Sequence, residues 1–280
     1  MTLVLLGAAW TFAIFAGTTI TNVPDVGTEV LGDMGIFPGS ELTGFPPGMV
    51  SGSIYLAGST AEIVIGDIQK AYDDATGQAA TQTMSDTDLG GLTLSPGVYK
   101  YDVAAALSAG QLFFDAKGDP NAVWIFQIGT SLTVAGGTSM FFTSGVGNAN
   151  NVFWAVGSSA MIEDGASFIG NILGSATISC NSGVRVNGRL FSLNGGVTLI
   201  TNKVSFPGAA TFSPSATPVT PSTSTGSKSE SSGLSQSEVI LASVLGAAGG
   251  LIVIGAIIGT IVYTTKAVDK GAASNEQNNL

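Results

Sequence analysis

Between residues 123 and 206 one short apolar phrase recurs with a drifting period, and few folds accommodate that pattern. Trp124-Ile-Phe-Gln-Ile-Gly129 returns as Val152-Phe-Trp-Ala-Val-Gly157, then as Asn171-Ile-Leu-Gly174 and Arg189-Leu-Phe-Ser192. A second short strand follows each phrase: Ser131–Ala135, Ser159–Glu163, Ala176–Cys180 and Val197–Ile200. A corner holding Gly or Asn comes next, and then a third strand: Ser139–Phe142, Ser167–Ile169, Val184–Val186 and Val204–Phe206. Three strands and three corners per repeat describe the coils of a β-solenoid, in which each repeat buries its apolar side only by stacking on its neighbours. Thr143–Asn150 lengthens the first repeat and loops out between coils.

The N-terminal part carries weaker versions of the same signal. Leu3–Phe15 is apolar enough to imitate a secretion signal, but no Lys or Arg precedes it. Val4–Gly7, Phe12–Ala16 and Thr18–Asn22 read instead as short strands, and Asp25–Tyr55 as further incomplete coils with Gly/Pro corners. Ser59–Gly77 is the one convincing helix before the stalk. Ser59 and Glu62 form an S-x-x-E capping box, Ala61, Val64, Ile65, Ile68, Tyr72 and Ala75 make an apolar stripe, and Gly77 is placed to terminate it. Such a helix packs along a solenoid face.

After residue 210 the composition turns abruptly to Ser, Thr and Pro, so 211–237 reads as an extended stalk that cannot bury a core. Val239–Tyr263 is then 25 residues without a charge, long enough to cross about 30 Å of hydrocarbon. The domain plan is therefore a solenoid over 1–210, a stalk over 211–237, a transmembrane helix over 238–264 and a short tail over 265–280. Lys266 and Lys270 follow the span while Glu230 and Glu238 precede it. The positive-inside rule puts the tail in the cytoplasm and the solenoid outside or in a lumen. Gly246-x-x-x-Gly250 and Gly255-x-x-x-Gly259 permit close pairing of two such helices, a weak homodimer.

Composition removes several function classes. The chain has no His and one Cys, so imidazole or thiolate metal sites, His-dependent triads and an internal disulfide are all excluded. Cys180 reads as a small buried hydrophobe. A net charge of −10, with no basic run, argues against nucleic acid. The close carboxylate pairs Asp73-Asp74, Asp86/Asp88 and Glu163-Asp164 have neither Arg185 nor Arg189 near them in sequence, which disfavours a polysaccharide-cleaving enzyme. No catalytic residue, metal or cofactor is expected.

The second strands are more informative. If Leu132, Val134, Ile162, Ile178, Cys180, Val197 and Leu199 point inward, alternation sends Ser131, Thr133, Ala135, Ser159, Met161, Thr177, Ser179, Gly196 and Thr198 outward. These outward residues are small, mostly hydroxylic and uncharged, where a solvated sheet face would carry Lys and Glu. β-Propensity of Thr and avoidance of bulk between stacked coils account for some of this. The functional account is a flat, rigid, weakly polar face for an ordered surface, with side chains repeating at roughly 6.6 Å along a strand and roughly 4.8 Å between coils. That grid is of the right order to template a water lattice.

The chain also resembles a known family, the microbial ice-binding proteins. The resemblance covers about residues 3–206. It runs through Leu42-Thr-Gly-Phe-Pro-Pro-Gly48, Ala71-Tyr-Asp-Asp-Ala75, Leu94-Ser-Pro-Gly-Val-Tyr-Lys100, Gly118-Asp-Pro-Asn-Ala-Val-Trp-Ile-Phe-Gln-Ile-Gly129, Asn151-Val-Phe-Trp-Ala-Val-Gly157, Phe168-Ile-Gly-Asn-Ile-Leu173 and Val186-Asn-Gly-Arg-Leu190. It implies an irregular right-handed β-solenoid with one long helix alongside, and adsorption to ice through the face of the second strands, with Thr19 and Thr21 added to the outward set above. It implies an antifreeze protein and no enzyme, its partners being an ice crystal and, through the C-terminal helix, a membrane. The stalk and span depart from the many family members that are secreted without an anchor. Met161 and Glu163 interrupt the hydroxylic face. The rival reading from another class is a cell-surface adhesin or glycan-binding solenoid.

Overall fold

A strand covered on both faces has to be apolar at nearly every position. The recurring phrases meet that condition: Phe12–Ala16, Trp124–Ile128 and Val152–Val156 are buried along their whole length. In the computed structural model, which describes residues 2–23 and 27–211, they stack as parallel first strands of successive coils. Their inner side contributes one column through the solenoid, Tyr99, Phe126, Trp154, Ile172, Leu190, Ile14, Met34 and Ile54, each opposite the next. Phe126 and Trp154 stack in it with centroids 3.8 Å apart and planes 9° from parallel. The buried indoles of Trp124 and Trp154 donate to Leu94 O (3.0 Å) and Ile169 O (2.9 Å), so neither leaves an unpaired donor in the core.

The other side of the first strands is covered by the helix Gly58–Gly77. Ala61, Val64, Ile68, Ala71 and Ala75 pack on Val98, Ile125, Phe153, Ala155, Leu173 and Phe191. Its stripe is as expected, but its ends are not. The residue before the helix, Ala57, has φ 56° and no side-chain cap, and Ser59 lies inside the first turn, so the expected capping box does not form. Gly77 is the last helical residue, not a residue beyond it. Nε2 of the buried Gln127 donates to Ala75 O, Thr76 O and Gln78 O at 2.8–3.2 Å and so satisfies the last carbonyls from outside the helix. Val4–Gly7, expected as a strand, leads instead into a 3₁₀ turn, Gly7–Thr11, that packs under the helix. Asp67 holds it there by accepting from Ala8 N at 2.9 Å. That bond and the ion pair with Lys70 keep the Asp67 carboxyl below the usual carboxylate range, Lys70 contributing most.

Chain order and coil order differ. The second strands form one seven-stranded parallel sheet in the order Ala105–Leu107, Leu132–Val134, Ala160–Ile162, Ile178–Ser182, Val197–Ile200, Thr19–Asn22, Glu41–Thr43. The N-terminal coils thus stack on the C-terminal one, and the helix carries the chain to the far end, from which it winds back. First and third strands share a second, 15-stranded sheet. They are fused because Ser167–Gly174 and Arg185–Ser192 each run through what was expected to be a corner. The bend is made within the strand at Gly170 (φ 116°) and Gly188 (φ 155°), which pair with each other. A Cβ on Gly188 would lie 1.8 Å from the Gly170 carbonyl oxygen, so the backbones approach more closely than any side chain allows.

One position in the wall is polar. Arg189 stands in line with Ile125, Phe153 and Asn171, on the side away from the inner column, and is 0% exposed. Its Nη1 donates to Asn150 Oδ1 (2.7 Å) and Asn171 Oδ1 (2.9 Å), and its Nη2 to Trp10 O (2.8 Å). The guanidinium lies 4.8 Å from the Trp10 ring centroid and 3.9 Å from that of Phe206. Among the described residues no carboxylate pairs with it. Burial pushes its pKa down to about 9, which leaves it charged at neutral pH. It ties together the looped-out segment, two coils and the N-terminal 3₁₀ turn. The expected transmembrane helix, stalk and tail lie outside the described residues, among which no helix is long and apolar enough to cross a membrane.

Three substitutions test these surroundings. Arg189→Lys keeps the charge but cannot reach two amide oxygens and a carbonyl with one planar fork, and is expected to cost roughly 3 kcal/mol or more in urea unfolding. An unchanged midpoint would show that the fork is dispensable. Gly188→Ala is expected to cost at least about 3 kcal/mol because a backbone must move. Gly77→Ala, with nothing within 4 Å of the added Cβ, is expected to be neutral or to stabilise by up to about 1 kcal/mol.

Candidate functional site

The seven-stranded sheet is covered on one side only. Its inner positions alternate as expected: Leu132, Val134, Ile162, Ile178, Cys180, Val197 and Leu199 are all buried, joined by Ala105, Leu107, Ala160 and Ile20. Burial pushes the Cys180 thiol up to about 12, so it stays a neutral packing group. Asn22 also turns inward. It accepts from Thr28 Oγ1 (2.6 Å) and donates to Gly44 O (3.0 Å), closing the inner column near the end coil.

The outer side carries every residue expected there. The central rank reads Ala106, Thr133, Met161, Ser179, Thr198, Thr21, Thr43, each directly opposite the next. A second rank holds Ser131, Ser159, Thr177, Gly196 and Thr19. The first four lie just before their strands, and their carbonyls still accept ladder bonds from Ala105, Leu132, Ala160 and Ile178. Ala135 and Glu163 lie just past the other end of their strands, bonded by their N–H groups to Leu107 O and Val134 O. Zero stagger between coils makes the ranks straight, at roughly 4.8 Å from strand to strand. Gly196 is small for a local reason: a Cβ there would stand 2.6 Å from the Thr19 hydroxyl.

Ala106, Thr43 and Glu41 belong to this face and were not expected in it. Glu41 lies beside Thr19 at the edge. Leu42-Thr43-Gly44 repeats the apolar-Thr pattern of Ile20-Thr21, which is the signal that could have found it. Among the described residues no hydroxyl of Thr19, Thr21, Thr43, Ser131, Thr133, Ser159, Thr177, Ser179 or Thr198 is spent on a protein partner. They remain free to bind water. The face has two irregularities. Met161 is 43% exposed in the central rank. Glu163 is turned sideways, its Oε2 accepting from Gly136 N at 3.3 Å, so its charge sits over a corner.

The carboxylates noted as close pairs are likewise engaged at corners. Asp164 Oδ1 accepts from Ser182 N (2.9 Å), and Asp86 Oδ1 from Asp88 N (3.0 Å). Asp88 Oδ1 accepts from Gly90 N and Ser108 N, and the Ser108 bond does most to hold its carboxyl below the usual range. Asp73 lies exposed on the helix, accepting from Gln69. Asp86 ties its own turn, Asp88, Glu163 and Asp164 reach a backbone N–H of a neighbouring coil, and Asp73 stays on the helix, so they do not converge on a shared cleft. Among the described residues no three His, Cys, Asp or Glu side chains come together to hold a metal ion.

Known proteins share this architecture. A family model described as Ice-binding-like matches residues 14–205. An ice-binding protein of Nostoc sp. (strain HG1) is 43% identical over 203 residues, covering 72% of this chain and 73% of that one. One from Flammulina populicola is 32% identical, covering 68% and 83%. Among solved structures, an ice-binding protein from an Antarctic biological consortium superposes with a TM-score of 0.70 at 37% identity, over 74% of this chain and 92% of that one. A glycosylated ice-binding protein from an Arctic yeast does so with 0.68 at 28% identity, over 78% and 99%. With its coils, its long helix and most of its described length matched in this way, the chain belongs to the ice-binding protein family.

Proposed function

We propose that this chain adsorbs to ice through the outer side of the seven-stranded sheet, slowing ice growth and recrystallisation, and that residues 238–264 hold it in a membrane. The observation that carries the first part is the straight central rank of Ala106, Thr133, Met161, Ser179, Thr198, Thr21 and Thr43, uncharged and free of internal hydroxyl bonds. Backbone hydrogen bonds fix the spacing of these side chains before any ligand arrives, so little ordering entropy is lost on contact. Methyl groups favour a cage of ordered water and hydroxyls anchor it. Where that layer matches the crystal, the protein becomes part of the solid surface and the ice front must bulge between bound molecules. The step is adsorption and requires no cofactor.

A chain ending after Ala210 keeps every described strand and the helix, and is expected to shape ice crystals and inhibit recrystallisation. Within it, Thr133→Tyr, Ser179→Tyr or Thr198→Tyr is expected to reduce that activity at least tenfold, because a flat contact cannot close around a protruding ring. Folding stability should change by only about 0.5 kcal/mol, as for ordinary surface substitutions. Ser139→Tyr or Ser167→Tyr, opposite each other on the third strands, should leave activity near the starting level. The buried Ile178 gives the converse: Ile178→Ala is expected to cost roughly 2–5 kcal/mol through its cavity. Equal loss from second- and third-strand variants of unchanged stability would reject this face, and unmodified ice growth by the well-folded parent would reject ice binding.

The membrane part rests on the uncharged run Val239–Tyr263 and on Lys266 and Lys270 beyond it. The solenoid then faces the outside or a lumen and the last residues face the cytoplasm, and the two glycine pairs in the run allow a weak dimer. Full-length protein is expected to stay with membranes through alkaline carbonate extraction while the chain ending after Ala210 is soluble. Recovery of the full-length chain in the soluble fraction would reject the span.

A further inference from the structure

We infer that Met161 is a redox-sensitive position in the central rank of the ice-contacting face, and that its conversion to the sulfoxide by peroxide lowers ice activity reversibly. The inference rests on the reading of that face given above. Among the side chains of the central rank, Met161 is the one that a mild oxidant can change: its neighbours in register are Thr133 and Ser179. It is 43% exposed, whereas Met34 and Met140 are buried and Met84 is half-buried. The other exposed thioether among the described residues is Met49, which is 47% exposed and lies opposite Glu29 in a third-strand position, off the seven-stranded sheet. The fold thus exposes one oxidisable sulfur on the proposed contact face and one away from it.

The chemistry is a two-electron oxygen transfer. The Met161 sulfur lone pair attacks one peroxide oxygen, an S–O bond forms as the O–O bond breaks, and the leaving hydroxide takes the proton of the transferred oxygen, giving the sulfoxide and water. Before oxidation the thioether is apolar and flexible enough to lie along the sheet beside the Thr133 methyl. Afterwards the same side chain carries a strong acceptor and a larger, chiral head. It then binds water in a geometry of its own, in the middle strands of a face whose other groups hold theirs at the spacing of the coils. A methionine sulfoxide reductase reverses the step with a thiol reductant.

The test uses the full-length Met49→Leu protein in detergent micelles, so that Met161 is the strongly exposed methionine left among the described residues. Hydrogen peroxide is added in steps, sulfoxide at each methionine is quantified by peptide mass spectrometry, and recrystallisation inhibition is read at each step. Activity is expected to fall at least threefold in proportion to Met161 sulfoxide, to recover after treatment with methionine sulfoxide reductases and thiol, and to track neither Met84 nor Met140. Met161→Leu, compared with itself before and after peroxide, should show no change. Near-complete Met161 sulfoxide with undiminished activity overturns the inference, as does failure of peroxide to reach Met161 while it oxidises Met49 in the parent. Absence of ice activity before any peroxide is a different result: it rejects the reading of the face, and the inference falls with it.

Discussion

The structure depends on parallel strands stacking without stagger, apart from register shifts between Phe12 and Ile14 and between Cys180 and Ser182, so that a side chain lies on its counterpart one coil away. Two consequences are mechanical. An inward position is surrounded by its own kind, so Phe126 stacks on Trp154, and the rank from Tyr99 to Ile54 stays apolar through eight coils. An outward position repeats at the strand spacing of the backbone, which side-chain packing does not set. A flat, evenly spaced face is therefore a by-product of the hydrogen-bond ladder. What evolution has to supply is restraint in the choice of side chain. Lys or Glu stacked at this distance would repel like charge on both sides, and a large ring would stand clear of the plane.

Most of what repeats could be read from the sequence, and most of what closes the structure could not. The phrases around Trp124, Val152, Asn171 and Arg189 announce coils because inward and outward positions differ in every one of them. The same alternation located the outward Ser and Thr residues from Ser131 to Thr198, and the resemblance added Thr19 and Thr21. It could not show that Thr21 lies between Thr198 and Thr43. That pairing joins chain segments far apart in sequence and leaves no local trace. Nor could it show that Gly170 and Gly188 carry the chain around a corner without leaving the sheet, since a Gly in a strand also marks an ordinary turn.

The helix ends differ from expectation, and Arg189 went unassigned, for a shared reason. In each case a local motif competes with a distant partner, and the distant partner wins. Ser59 and Glu62 have capping-box spacing, yet the chain enters the helix through Ala57 and Gly58, two residues earlier than that box requires. The helix C-terminus is satisfied by Gln127, a residue in the middle of an apolar phrase where an amide looks like an exception. Arg189 begins the last of these phrases, and nothing local marks it as buried. In its burial Asn150, Asn171 and the Trp10 carbonyl take N–H groups of Nη1 and Nη2 and the rings of Trp10 and Phe206 lie against the guanidinium, while Nε has no partner among the described residues. A cation held by neutral groups has no acidic neighbour in sequence to reveal it.

The helix also sets how wide the contact face can be. Because the N-terminal coils stack against the C-terminal one, the chain must travel the whole length of the solenoid before it can begin winding back. The helix Gly58–Gly77 has 20 residues and so spans about 30 Å at about 1.5 Å per residue. Seven second strands are separated by six steps, which at about 4.8 Å each come to about 29 Å. The two lengths agree, so the return path and the number of coils are coupled. One further coil would widen the face by about 4.8 Å and require about three more helical residues, close to one turn. Those residues would have to keep the stripe of Ala61, Val64, Ile68, Ala71 and Ala75 facing the first strands, and a turn is very nearly the increment that does so. A solenoid closed by a straight helix can thus grow only by adding a coil and a turn together, and the width of its flat face is tied to the length of an element on another side of the molecule.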